Sequence, residues 1–185
     1  MLKAQNTEQL PLLYSLYRLL SFFLFTLVLS SPIFADNQPL DDLFQQLKEA
    51  PTETEARKLE NQIWKSWLTS GDSKIDNLMQ KAFRKRRSYN FDGAIELLNQ
   101  VIALKPDYPE VWNQRATVYF HQEKYEKSLE DIAKTLELEP RHFGSLAGRA
   151  VIRLKQQKPA LAIQNIKVAL KIHPFLKEKN LFPNL

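Results

Sequence analysis

PEVWNQRATVYFHQEKYEKSLEDIAKTLELEP, residues 109–140, reads as one helical hairpin, and the segments on either side repeat its pattern at an interval of 34 residues. The dipeptides Lys105-Pro106, Glu139-Pro140 and His173-Pro174 share that spacing. So do Ala94/Ser128/Ala162, Leu98/Ile132/Ile166, Ile102/Leu136/Leu170 and Leu104/Leu138/Ile172. A helix, a turn and a second helix in each unit is the signature of a solenoid whose neighbouring units bury one another's apolar faces. The expected fold class is all-α, with repeats over 75–108, 109–142 and 143–176. Small residues at Ala82, Ala116 and Ala150, and at Ala94, Ser128 and Ala162, let the two helices of a hairpin approach closely. The prolines end each second helix.

Composition narrows the chemistry. At 185 residues the chain suits one domain plus a short segment of different character. It has no cysteine, which excludes disulfides, thiolate zinc sites and thiol nucleophiles. Four glycines argue against a Gly-rich phosphate loop.

Residues 19–30, LLSFFLFTLVLS, are uncharged and apolar, with Lys3 and Arg18 before them and SSPIFA after them. That order predicts an export signal over 1–35, cleaved after Ala35 to release a periplasmic chain. The alternative is an uncleaved anchor in the inner membrane, against which stands Arg18, since a span needs ~20 apolar residues. Removing 1–35 takes away Lys3, Arg18 and Glu8 and leaves a net charge of +4. In an exported chain that balance favours protein partners or an anionic membrane surface over nucleic acid.

Between the signal and the repeats, residues 36–74 hold two more amphipathic runs. Leu40, Leu43, Phe44 and Leu47 share one helical face, Ala50-Pro51-Thr52 breaks it, and Thr52 with Glu55 forms a capping-box pattern. The second run carries Ala56, Leu59, Ile63, Trp64 and Trp67. It is expected to form an N-terminal cap over the open end of the array. The tail 177–185 has Leu181 and Phe182 to fold back on the last helix.

Over 75–176 the sequence resembles the tetratricopeptide repeat (TPR) family, and with its leading segment it resembles small exported bacterial TPR proteins. Repeat two carries the resemblance with Trp112, Ala116, Tyr119, Tyr125, Ser128, Ile132 and Pro140. Repeat one has Leu78, Ala82, Phe91, Ala94, Leu98 and Pro106; repeat three has Leu146, Ala150, Ala162, Ile166 and Pro174. Two columns depart from the family pattern, holding Lys81, Arg115 and Arg149 where Leu is usual, and Lys85 and Arg153 where Tyr is usual.

The resemblance implies a concave groove lined by first helices, and a non-catalytic module or scaffold that binds a protein or extended peptide there. The candidate partner-binding residues are Met79, Gln80, Phe83, Arg86 and Arg87, then Asn113, Gln114, Thr117, Phe120 and His121, then Lys155. The family's two-carboxylate clamp for chaperone tails is missing, because its positions hold Met79, Phe83, Gln114, Gly144 and Gly148. A basic run, Lys81 and Arg84 to Arg87, offers a membrane-surface alternative, and apolar first-helix positions offer a seat for a second copy. No enzyme motif, cofactor or metal set emerges: His121, His142 and His173 read as surface or pre-proline residues, with no HExxH spacing.

Overall fold

The computed structural model describes residues 38–183, so the expected export signal and its cleavage point lie outside the described residues. Within them lie α1 (Gln38–Glu49), α2 (Glu53–Trp67), α3 (Ser73–Arg87), α4 (Phe91–Leu104), α5 (Pro109–His121), α6 (Tyr125–Leu138), α7 (Phe143–Lys155) and α8 (Pro159–Ile172). A 3-10 helix, Lys177–Leu181, follows, and there is no strand among the described residues. Helices α3/α4, α5/α6 and α7/α8 pair as three antiparallel hairpins that stack in chain order.

Local chemistry sets the helix ends. Thr52 accepts from the Glu55 amide to open α2, and Asp72 accepts from Lys74 and Ile75 to open α3. Each second helix stops at a residue forced into extended backbone by the following proline: Lys105, Glu139 and His173, with φ of −145°, −136° and −129°. Each first helix stops at a left-handed residue in one repeat column, Tyr89, Glu123 and Gln157, with φ of 56°, 57° and 58°. The next amide then reaches back to close the turn, Asn90 to Lys85, Lys124 to Tyr119 and Lys158 to Arg153, at 2.9, 2.9 and 2.8 Å. None of the three is glycine, so the repeating strain leaves no glycine signal in the sequence.

The small-residue columns do close the hairpins: Ala94, Ser128 and Ala162 are all buried. Ser128 is tolerated there because its hydroxyl donates to the Ala116 carbonyl at 2.8 Å. Arg115 stands in a leucine column because it is neutralised in place. Its guanidinium donates to both Asp131 oxygens at 2.7 and 2.8 Å and to Asn99 Oδ1 at 2.7 Å, under the face of Trp112.

The leading hairpin differs from expectation. α1 and α2 leave repeat one uncovered and join repeat three: Phe44, Leu47, Ala56, Leu59, Ile63 and Trp67 share one core with Phe143, Leu146, Ala150, Ile166 and Leu176. Repeat one's Ile75, Met79, Ala82, Leu98 and Val101 sit in a separate core. The hairpin runs along the edge where the three proline turns lie. Lys105 Nζ donates to the Ser70 carbonyl at 2.7 Å, Tyr108 Oη donates to the Trp67 carbonyl at 2.7 Å, and Arg57 donates to the Phe175 carbonyl at 3.3 Å. Burial pushes the Tyr108 phenol up, keeping it a donor. The physical reason for this docking is aromatic: Phe143 meets Phe44, Trp64 and Trp67 with ring centroids 6.5, 5.6 and 5.0 Å apart. Phe182 of the tail is buried in this same core, while Leu181 stays 54% exposed.

Candidate groove site

The first helices α3, α5 and α7 contribute a hollow and a buried polar spine. The hollow, about 520 Å³, opens between α5 and α7. Ala116, Phe120, Ile132, Val151 and Ile152 give it an apolar lining, and Thr117, His121, Lys177 and Glu178 add polar groups. Two glycines of α7 line it for different reasons. A Cβ on Gly144 would stand 2.8 Å from the Trp64 ring, so glycine admits the docked hairpin. A Cβ on Gly148 would meet only Ile132, at 3.7 Å. No packing demand accounts for Gly148; its missing side chain leaves the hollow open.

The spine is centred on Glu110, which is 1% exposed. Its carboxylate accepts from Asn113 Nδ2 at 3.2 Å, from Gln114 Nε2, and from His142 Nε2 at 3.0 Å. The His142 Nδ1 accepts from the Ser145 amide at 3.1 Å, which assigns the proton to Nε2. Ser145 Oγ donates to Asn113 Oδ1 at 2.8 Å, and Arg86 donates to Gln114 Oε1. The network thereby joins all three repeats. Burial holds the Arg86 guanidinium below its ordinary value, partly offset by the Glu110 charge and reinforced by the neighbouring Arg87.

The structure therefore divides the residues expected to bind a partner. Asn113, Thr117, Phe120 and His121 line the hollow. Phe83 is half-buried against repeat one's core with Arg86 over its ring, and Arg86 and Gln114 are engaged in the spine. Gln80, Arg87 and Lys155 are exposed outside the hollow. Met79 is corrected: at 1% exposure it belongs to the core, because its helix turns that face toward α4. His142 and His173 are corrected too: both are fully buried, His142 against Trp67 of the leading hairpin and His173 against Phe143 of α7. His142 stacks on Trp67 at 4.0 Å and 7°. Missed in the sequence were Gly148, Ser145, Ile152, Lys177 and Glu178; of these only the helix-interior glycine carried a signal. Among the described residues no group of His, Asp and Glu is arranged to hold a metal ion.

Comparison with known proteins follows the repeats. Residues 90–123 match the TPR repeat pattern, and residues 109–142 match the tetratricopeptide repeat pattern. A TPR repeat-containing protein of Rhizobium etli is 40% identical over 137 residues, covering 74% of this chain and 67% of that protein. Among solved structures, the first TPR of Spaghetti, bound to the HSP90 peptide SRMEEVD, aligns with a TM-score of 0.56 and 22% identity. That match covers 60% of this chain and 88% of the other. MamA aligns with a TM-score of 0.51 and 17% identity over 74% of this chain and 77% of its own. At these identities the two structures bear on the fold.

Proposed function

The chain belongs to the tetratricopeptide repeat family, whose fold serves protein–protein interaction, and from that premise we propose that it grips a partner peptide or helix in the groove between α5 and α7. The partner's apolar side chain enters the hollow over Ile132 and Gly148, while Thr117 and His121 meet its backbone and flanking polar groups. Gly148 is the observation that carries this reading. A glycine inside a helix costs about 1 kcal/mol against alanine, and here nothing in the packing requires it. The occupant is apolar rather than an acidic chaperone tail like the one on Spaghetti. Met79, Phe83, Gln114, Gly144 and Gly148 offer no cation where such a tail would be clamped.

We place the interaction outside the cytoplasm, on the basic, apolar and small-residue order of 1–35. Fractionation of tagged cells tests that placement: recovery in the cytosolic fraction overturns it.

A peptide-display selection on the wild-type chain and on Gly148→Leu tests the groove, with thermal melts confirming that both fold. Peptides sharing one bulky apolar anchor are expected on the wild type and lost on the filled variant. Equal enrichment on both, or enrichment of acidic tails, defeats the reading.

A further inference from the structure

Among the described residues, nothing covers the apolar outer face of repeat one. On its outer side α3 and α4 form two adjoining hollows, of about 480 and 410 Å³, that share Lys81. Leu78, Leu97, Ala103 and Leu104 supply the apolar lining, with Leu104 50% exposed. Lys74, Lys81, Arg84 and Lys85 line the same hollows, and no carboxylate does. A terminal unit of a solenoid needs a polar outer face or a cover. The hairpin that precedes α3 in the chain is committed to repeat three.

Two observations specify the cover. Within the array, the second helix of one repeat packs on the first helix of the next, α4 on α5 and α6 on α7, so the place before α3, which no described helix fills, is shaped for a helix. The repeat columns specify its charge. Arg115 is answered by Asp131 in repeat two, but the same two columns hold Lys81 and Leu97 in repeat one, where Lys81 forms no ion pair among the described residues. We propose that a partner protein's acidic amphipathic helix docks on this face, its apolar stripe against Leu78 and Leu104 and its carboxylates on Lys81, Arg84 and Lys85. A second copy of this chain fits poorly. Its own exposed second-helix residues Leu161, Ile163 and Val168, on α8, are accompanied by Lys158, Lys167 and Lys171, and like charges repel. A membrane surface fits less well than a helix, because the apolar side chains line hollows instead of projecting.

The test titrates the full chain into a labelled helical peptide with a leucine stripe flanked by glutamates, alongside the same stripe flanked by lysines. The acidic peptide should bind, and Leu104→Glu or the pair Lys81→Glu/Lys85→Glu should each weaken it about tenfold or more. The charge-reversed pair should gain affinity for the lysine-flanked peptide, which mere unfolding cannot produce. Gly148→Leu should leave this binding unchanged, separating it from the groove. Four results overturn the proposal: equal binding of both peptides, loss of binding in Gly148→Leu, phosphatidylserine vesicles binding while the acidic peptide does not, or self-association abolished by Leu104→Glu.

Discussion

The two ends of the repeat array solve the same problem in opposite ways. Repeat three has its apolar surface covered from within the chain by α1, α2 and the tail, around Phe143, which is 1% exposed. Repeat one leaves Leu104 half in water and surrounds the hollows beside it with cations. Stability in a stacked array is a sum of repeat and neighbour terms, so the two ends should differ in how much a lost side chain costs. Phe143→Ala removes a ring held among Phe44, Trp64, Trp67 and His173 and should cost about 4 kcal/mol. Leu104→Ala should cost under about 1 kcal/mol, since the group is already half-hydrated. Urea midpoints of the two variants check this; equal losses would show that repeat one is covered in solution.

The glycines of α7 sharpen the same contrast within one helix. Gly144→Ala drives a methyl into the Trp64 ring and should destabilise by about 2 kcal/mol, loosening the hairpin. Gly148→Ala meets only Ile132 at van der Waals distance and should stabilise by about 1 kcal/mol. Thermal melts of the pair decide it. The two residues look identical in the sequence, both glycines on one face of a first helix.

That indistinguishability marks how far the sequence could be read. The repeat period is visible because every repeat closes its hairpin with the same geometry, so the small residues Ala94, Ser128 and Ala162 recur where that geometry requires them. The hairpin's destination is invisible because Trp64 and Trp67 advertise only a need for burial, and Phe143 and the exposed end of repeat one offered equal prospects of meeting it. For the groove, Phe120 and Thr117 could be placed by helical phase. Glu110 could not be recognised as a buried hub, since Gln114 reaches it from its own helix while His142 reaches it from the cap of α7, 32 residues away. Met79 shows the limit of phase alone, because one step around the helix separates groove from core.

Acid should loosen the covered end. The His173 ring, whose Nε2 lies 3.3 Å from Glu60, and the Arg57 guanidinium at 2.7 Å hold the Glu60 carboxyl at about 2, against an ordinary 4.5, despite partial burial. A depressed carboxyl pKa contributes stability that is present above 4.5 and lost as pH falls through about 2. Hairpin docking should therefore weaken across that window, by about 1 kcal/mol once solvent screening is allowed for. Trp fluorescence during urea unfolding, at the top and bottom of the window, checks it. Glu60→Gln should flatten the dependence, and an unchanged slope in that variant would assign the acid response elsewhere.

The smallest effect concerns the turns. Tyr89, Glu123 and Gln157 occupy the left-handed region at one repeat column, which costs a non-glycine residue about 1 kcal/mol. Glycine removes that strain and adds unfolded-chain entropy of nearly the same size, so Tyr89→Gly and Gln157→Gly should each stabilise by no more than about 0.5 kcal/mol. Where the gain appears is more informative than its size. Tyr89 is 82% exposed and closes the hairpin of the bare repeat, so its glycine variant should slow amide exchange in α3 and α4 and leave α7 unaltered. Gln157 closes a hairpin already bound to α1 and α2, whose opening also requires the hairpin to leave, so its glycine variant should shift exchange across α1, α2, α7 and α8 together. Uniform protection from either substitution would mean that the array opens as one unit and that the uneven ends do not divide its stability.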